Sequence, residues 1–371
     1  MPACETPMNA RERFARIMHF QRPDRVPLWQ VEGITETAVR RWIVDGDVPI
    51  GVRGEDIFAF DPKTILRLDT DPLPAAVPKV LEEDDRWRTG IDQYGFTVRT
   101  SKQQSAGPTH YYYLDGPVHS RADWEKWKDR YDPADTRRKP RCWSDELFAH
   151  YNSSEAPLGL RIDWGPGRGI KNGYMMGHDR FLQTLIDDPK LLEEMFAFWA
   201  EFVIELAADF VERIHFDFAF FNEDGMAFKN STMVSPDTYR RIWGPPLRKV
   251  TTYLRGRGID VIGYLTSGNV RPLIPVLLEI GVNLHMPLEC AAGIDARELR
   301  REFGRDVLLI GNISRQAFMN GPVAVEKEFH AKVPPLMEAG GYVPAPDDLI
   351  MPDMPYASVQ RYVDLVREFR L

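Results

Sequence analysis

From Pro157 onward, short continuous apolar runs alternate with longer stretches whose apolar residues recur at helical spacing. No other feature of the chain constrains its fold as strongly. LGLRIDWG (158–165), FDFAFFNED (216–224), DVIGYLTSGN (260–269), VNLHMPLE (282–289), VLLIGNIS (307–314) and GYVPAPDD (341–348) read as buried strands. Their apolar residues are consecutive more than alternating, the pattern of a parallel sheet covered on both faces. Helical spacing fills 179–214, with a break at Pro189, and then 235–258, 270–281, 295–304 and 322–341. Several of these stretches start on Ser-Pro or Asp and stop on Gly. With RVPLWQ (25–30) as an early strand, the count predicts an α/β fold, a (β/α)8 TIM barrel.

Between about 50 and 150 the rhythm breaks. TGIDQYGFTVRT (89–100) and THYYYLDGPV (109–118) read as antiparallel strands, and SRADWEKWKDRYDPADTRRKPRC (120–142) as a polar helix followed by a charged linker. This segment is expected to be an insertion, a candidate lid, within one barrel domain spanning 1–371. A formal charge of −8 gives no general attraction for nucleic acid or an anionic membrane. Cys4, Cys142 and Cys290 lie too far apart for a disulfide framework or a zinc knuckle. The N-terminal stretch carries charges where a signal peptide needs an apolar core, and no run suffices to span a bilayer. The expectation is a soluble, cytoplasmic protein with a small-molecule substrate.

The chemistry of such a barrel sits where the C-terminal ends of its strands converge. The ends read in order as Gln30 and Glu32; Asp163; Asn222, Glu223 and Asp224; Thr266, Ser267 and Asn269; His285, Glu289 and Cys290; Asn312; Asp347 and Asp348. The mouth is thus expected to be rich in carboxylates and amides and poor in positive charge. Polar strand ends also cap helices and bond loop backbone. Asp295 reads better as the N-cap of ARELRREFG, and His285 better as a core histidine. Glu223 and Glu289 read as functional, because an unpaired carboxylate after an apolar run is costly. Cys290 would need a positive neighbour to be reactive. HYYYLDG reads as strand packing, and GPGRGIKNG (165–173) is Gly-rich without matching a phosphate-binding motif.

Three stretches resemble the uroporphyrinogen decarboxylase superfamily: NARERFARIMHFQRPDRVPLW (9–29), PLECAAGIDARELRREFGRDVLLIGNIS (287–314) and GGYVPAPDDLIMPDM (340–354). The resemblance implies a distorted (β/α)8 barrel and two chemistries. Decarboxylases of the superfamily hold the carboxylates of uroporphyrinogen with arginines of an N-terminal RQAGR-type motif and use a late histidine. Here WQVEGITETAVRRW (29–42) puts Glu32 in that place, and Asp348 stands for the histidine. Corrinoid-dependent methyltransferases that act on thiols bind zinc through His-x-Cys and a late Cys. Here Leu265-Thr266-Ser267 occupies the first position and no cysteine follows Cys290.

The resemblance therefore implies methyl transfer without the zinc site, between cobalamin on a separate corrinoid protein and a small acceptor such as the pterin tetrahydrofolate. The alternatives are a uroporphyrinogen decarboxylase-type lyase and a lapsed barrel that only binds a ligand. In the first reading Asp163, Glu289 and Asp348 are the catalytic candidates, and Glu32, Asn222, Glu223, Asp224, Ser267, Asn269 and Asn312 contact the substrate. By resemblance to the family, a homodimer is also compatible with the chain.

Overall fold

The computed structural model describes residues 7–102 and 111–371. Cys4 and the first two residues of the THYYYLDGPV run, Thr109 and His110, lie outside the described residues. Seven strands form one parallel sheet: β1 (Thr64–Arg67), then, beyond four strands of a separate sheet, β6 (Leu158–Asp163), β7 (Phe218–Asn222), β8 (Ile262–Leu265), β9 (Leu284–Met286), β10 (Leu308–Ile313) and β11 (Tyr342–Pro346). They lie side by side in chain order, and every pair is parallel. The six strands read from the second half of the sequence are all present.

Among the described residues, an eighth strand of this sheet is not seen. The stretch 25–30, read as one, forms no ladder; Pro27 has no N–H to offer. The segment is pinned by single bonds instead. Leu28 N donates to Asp61 Oδ2 at 2.8 Å, and Asp61 N donates to the Leu28 carbonyl at 3.0 Å. It spans the two free edges of the sheet: Lys63, next to β1, donates to the Gln30 carbonyl at 2.5 Å, and Ile34 bridges Ile350, just past β11.

Alternation along the strands sorts the two faces. Phe218, Phe220, Leu265, Leu284, Met286, Leu308, Ile310, Val343 and Ala345 meet in one interior cluster with Trp29. Phe14, Ile17 and Met18 of the helix Ala10–Met18 join that cluster from the strands' N-terminal end. Phe14 stacks on Trp29 with ring centroids 5.3 Å apart, and an Asn9–Glu12 capping box starts the helix. The opposite faces pack outward against helices such as Pro189–Val211.

The antiparallel excursion begins later than expected, because β1 lies inside the 50–150 range. It comprises β2 (Lys79–Glu83), β3 (Trp87–Ile91), β4 (Thr97–Ser101) and β5 (Tyr111–Asp115), in that order. Phe96, Val98, Val118, Trp124 and Tyr131 of this region share a buried cluster with Leu160, Ile162 and Trp199 of the main body. Among the described residues, no helix is long and apolar enough to cross a membrane.

Candidate active site

On β6, Leu158, Leu160 and Ile162 pack into the outer core, so Gly159, Arg161 and Asp163 face inward. The same period on β7 turns Asn222 inward and Glu223 outward. These strand ends border a cavity of about 210 Å³ lined by Glu32, Tyr113, Arg161, Asp163, Arg168, Lys171, Asn172, Asn222 and Asp224. Three acidic residues (Glu32, Asp163, Asp224) thus face three basic ones (Arg161, Arg168, Lys171). The expectation of a mouth poor in positive charge is wrong. A larger cavity of about 420 Å³ lies at the other end of the strands, beside Phe20, Arg305 and Phe369.

Asp163 is 2% exposed and fully engaged: Arg67 Nε donates to Oδ2 at 2.6 Å, and Arg161 Nε and Asn222 Nδ2 each donate to Oδ1 at 2.9 Å. Burial alone would raise this carboxyl, but Arg161 and Arg67, helped by Asn222, hold it below the usual carboxylate range. It is a fixed anion that orients two guanidinium groups. Glu32 behaves in the opposite way. Glu32 is an exposed residue at the rim of the cavity, and the protein around its carboxyl takes away only part of its hydration. That desolvation, with Asp224 and Asp348 nearby, pushes it up to about 7 against the pull of Arg161 and Lys171.

Asp224 accepts from the Ser267 backbone N–H at 3.3 Å and lies 3.9 Å from Lys171 Nζ. Arg168 sits over the Tyr94 ring at 4.8 Å and 3.7 Å from Asp71, so its guanidinium is only loosely held. Asn172 is 1% exposed; its Nδ2 donates to the Gly167 carbonyl at 2.7 Å, and its Oδ1 has no partner among the described residues.

Four of the ten expected site residues therefore line one cavity: Glu32, Asp163, Asn222 and Asp224. The other six are placed differently. Glu223, expected to contact substrate, is buried on the outer side of β7, where Tyr174 and Tyr264 donate to its two carboxyl oxygens, Tyr264 at 2.9 Å. Burial pushes its carboxyl up to about 8, against those hydrogen bonds. Asn312 is also committed elsewhere. It is fully buried, accepts from Ala296 N at 2.9 Å and donates to the Leu288 and Ile294 carbonyls at 2.8 and 2.9 Å. It ties the end of β10 to the loop after β9 and, fully buried, does not line the cavity.

Glu289 accepts from Gly268 N at 2.7 Å, which couples its loop to the Thr266–Asn269 loop. Asn269 accepts from Arg271 N at 3.2 Å, as a turn residue does. Ser267 is exposed and is held through its backbone. Asp348 pairs with Arg315 at 2.7 Å and acts on Glu32 only through space. Its neighbour Asp347 clamps two loops, accepting from Cys290 N and Arg315 N at 2.8 and 2.7 Å.

His285 is buried on the outer face of β9, and burial lowers it to about 4, so it is a neutral core residue; it is not the satisfied histidine expected, because neither ring nitrogen has a partner among the described residues. Cys290 does have a positive neighbour, Lys332 Nζ at 3.2 Å, yet burial and Asp347 push the thiol up. Asp295 caps the helix Ala296–Phe303, accepting from Arg297 N. Among the described residues, no three His, Cys, Asp or Glu side chains are grouped to hold a metal ion.

The residues missed were Arg161, Arg168, Lys171, Asn172 and Tyr113. Arg161 had a signal, standing two positions before Asp163 on the same face. Arg168, Lys171 and Asn172 belong to GPGRGIKNG, whose glycines let the loop turn tightly over the strand ends. At Gly169, φ +85, a Cβ would lie 2.5 Å from the Trp164 carbonyl oxygen. Tyr113 belongs to the run read as strand packing; its neighbours Tyr111 and Tyr112 are exposed.

The family model for uroporphyrinogen decarboxylase (URO-D) matches residues 172–369, more than half of the chain. The protein belongs to the URO-D family. No curated protein matches the sequence. In this URO-D family member the match covers β7 to β11, with Asn172, Asn222 and Asp224 of the cavity. Glu32, Tyr113, Arg161, Asp163, Arg168 and Lys171 all precede it, so most of the charge in the mouth lies outside the matched region.

Proposed function

We propose that this URO-D family member moves a methyl group between a corrinoid on a separate protein and a small acceptor seated in the mouth, with Glu32 exchanging the acceptor's proton. One observation carries the reading. A single cavity holds two carboxyl groups driven in opposite directions, Glu32 up to about 7 and Asp163 down. Such divergence marks which group moves a proton and which stays charged. The roles first expected are therefore exchanged: Glu32 becomes the acid–base residue and Asp163 the positioning one.

In this reading Asp224, Asn222 and the free Oδ1 of Asn172 accept N–H groups of the acceptor, while Arg168 and Lys171 take an anionic part. A pterin with an acidic tail, such as tetrahydrofolate, offers both. As its nitrogen gains the methyl group, the N–H proton passes to Glu32, which near neutral pH is about half ionised. A cavity of about 210 Å³ admits a flat bicyclic ring. It lies below the ~300–1,000 Å³ filled by drug-sized ligands, so a corrin ring would stay at the rim. There the corrinoid would supply or receive the methyl group at cobalt.

Arg161, Arg168 and Lys171 favour a second reading, decarboxylation of a small carboxylate with Glu32 protonating the carbon that loses CO2. The same cavity size argues against a whole porphyrinogen. The deciding assay follows methylcobalamin absorbance with tetrahydrofolate, beside uroporphyrinogen and small-acid decarboxylation assays. Protein-dependent demethylation that falls in Glu32→Gln is expected. Release of CO2 without demethylation would replace the first reading by the second.

A further inference from the structure

Beneath the mouth, the inner face of the seven-stranded sheet borders a second, smaller cavity of about 40 Å³. Its walls are Trp29, Val31, Phe218, Phe220, Leu265, Met286 and Ile310, with Ile65 on the open side; Ile65 is 37% exposed, so the space reaches solvent beside β1. Into this apolar space comes one amine, Lys63. Its Nζ donates to the Gln30 carbonyl at 2.5 Å and lies 5.2 Å from the centre of the Trp29 ring. Among the described residues, the one other polar side chain lining the space is that of Gln30, whose Oε1 is buried and has no partner.

A lysine that only held the chain together would ordinarily be paired with a carboxylate, because an unpaired buried ammonium is costly. Lys63 is half-buried; among the described residues no charged side chain acts on it, and desolvation alone lowers it to about 8. A lysine desolvated in an apolar pocket is a nucleophile, able to form imines with carbonyl compounds. We propose that Lys63 captures an aldehyde or ketone of one to three carbons as an imine within this cavity. The size follows from the space, which exceeds the ~10–15 Å³ needed for one water but holds little more than a few heavy atoms.

The neutral amine's lone pair attacks the carbonyl carbon to form the C–N bond, and the carbonyl π pair moves to oxygen. The oxygen takes a proton given up by nitrogen, producing a carbinolamine whose O–H can donate to Gln30 Oε1. The C–O bond then breaks, the second nitrogen proton leaves with the hydroxyl as water, and C=N remains. Amine plus carbonyl gives imine plus water, with no change of oxidation state.

The test is reductive trapping on the intact wild-type protein: acetaldehyde or acetone with cyanoborohydride at pH 7.5, quenched over time and mapped by peptide mass spectrometry. Lys63 should gain the ethyl or isopropyl mark roughly tenfold or more faster than the exposed Lys79 and Lys190, because far more of it is neutral at that pH. Benzaldehyde, too large for the cavity, should lose that preference. Labelling of Lys63 at or below the surface rate, or equal preference for benzaldehyde, would overturn the proposal. Because the readout is taken on the wild-type chain, it does not depend on a variant that folds.

Discussion

Arg67 Nε stands 2.6 Å from Asp163 Oδ2, joining the last residue of β1 to the last residue of β6. The same guanidinium reaches Asp71 at 2.8 Å, and Asp163 also holds Arg161. An almost fully buried anion thus sets the position of two cations at the edge of the mouth. Replacing Asp163 by Asn should destabilise the protein by about 1–3 kcal/mol, less than the full value of a buried pair because both arginines retain some access to solvent. Asp163 titrates below its unfolded value, so its contribution is present above the ordinary carboxylate pKa and lost as pH falls. Denaturant midpoints of the two proteins should differ at pH 7 and draw together only as pH falls below the ordinary carboxylate range.

Glu32→Gln should lower turnover about 10²–10⁴-fold, as loss of a general acid–base does. The limb of the pH profile near 7 should vanish with it. Stability offers an independent check. Because folding raises this carboxyl, the wild type loses stability as pH climbs from about 4.5 through about 7, and the Gln variant should not. Identical pH–stability curves would show that Glu32 titrates as an ordinary surface acid.

Glu223 provides the contrast. Near neutral pH its carboxyl, raised to about 8 among Tyr174 and Tyr264, is mostly protonated, so Gln is close to isosteric and should cost under about 1 kcal/mol. Glu223→Ala leaves tyrosine hydroxyls unpaired around a void and should cost about 2–4 kcal/mol. In both variants the folded fraction should keep normal turnover. A selective loss of activity in Glu223→Gln at unchanged thermal midpoint would return this residue to the site.

Arg168→Gln should raise KM for an acceptor bearing an acidic tail by roughly 5–20-fold, the range for losing one charge-assisted contact. Turnover at saturation and KM for the same ring without its tail should change little. Equal losses for both acceptors would place Arg168 against the ring instead of the tail.

Asn312→Ala removes one accepted and two donated hydrogen bonds at once, leaving the Leu288 and Ile294 carbonyls and the Ala296 N–H buried. A stability loss of about 2–4 kcal/mol is expected, read as a lower denaturant midpoint. Reaction with the folded remainder should be nearly normal if Asn312 holds loops and touches no substrate.

The order of the parallel strands was legible in the sequence because a strand buried on both faces writes a continuous apolar run, and helices between such runs write their own period. Period two along FDFAFFNED, applied one residue further, also separates Asn222 from Glu223 without coordinates. Four residues of the cavity were found because carboxylates and amides stand out where an apolar run ends. What the sequence could not decide was which polar groups are already engaged. Asn312, Asp347 and Glu289 look free in one dimension and are bonded to loops 20 to 60 residues away. Nor could it foresee that Arg67, Arg161, Arg168 and Lys171 would gather at the strand ends and reverse the expected charge of the mouth, or that Lys63 would face an apolar interior without a counter-ion. Electrostatic fields and hydrogen-bond satisfaction depend on distances between parts of the chain far apart in sequence. Those distances exist only once the sheet has brought its strand ends together.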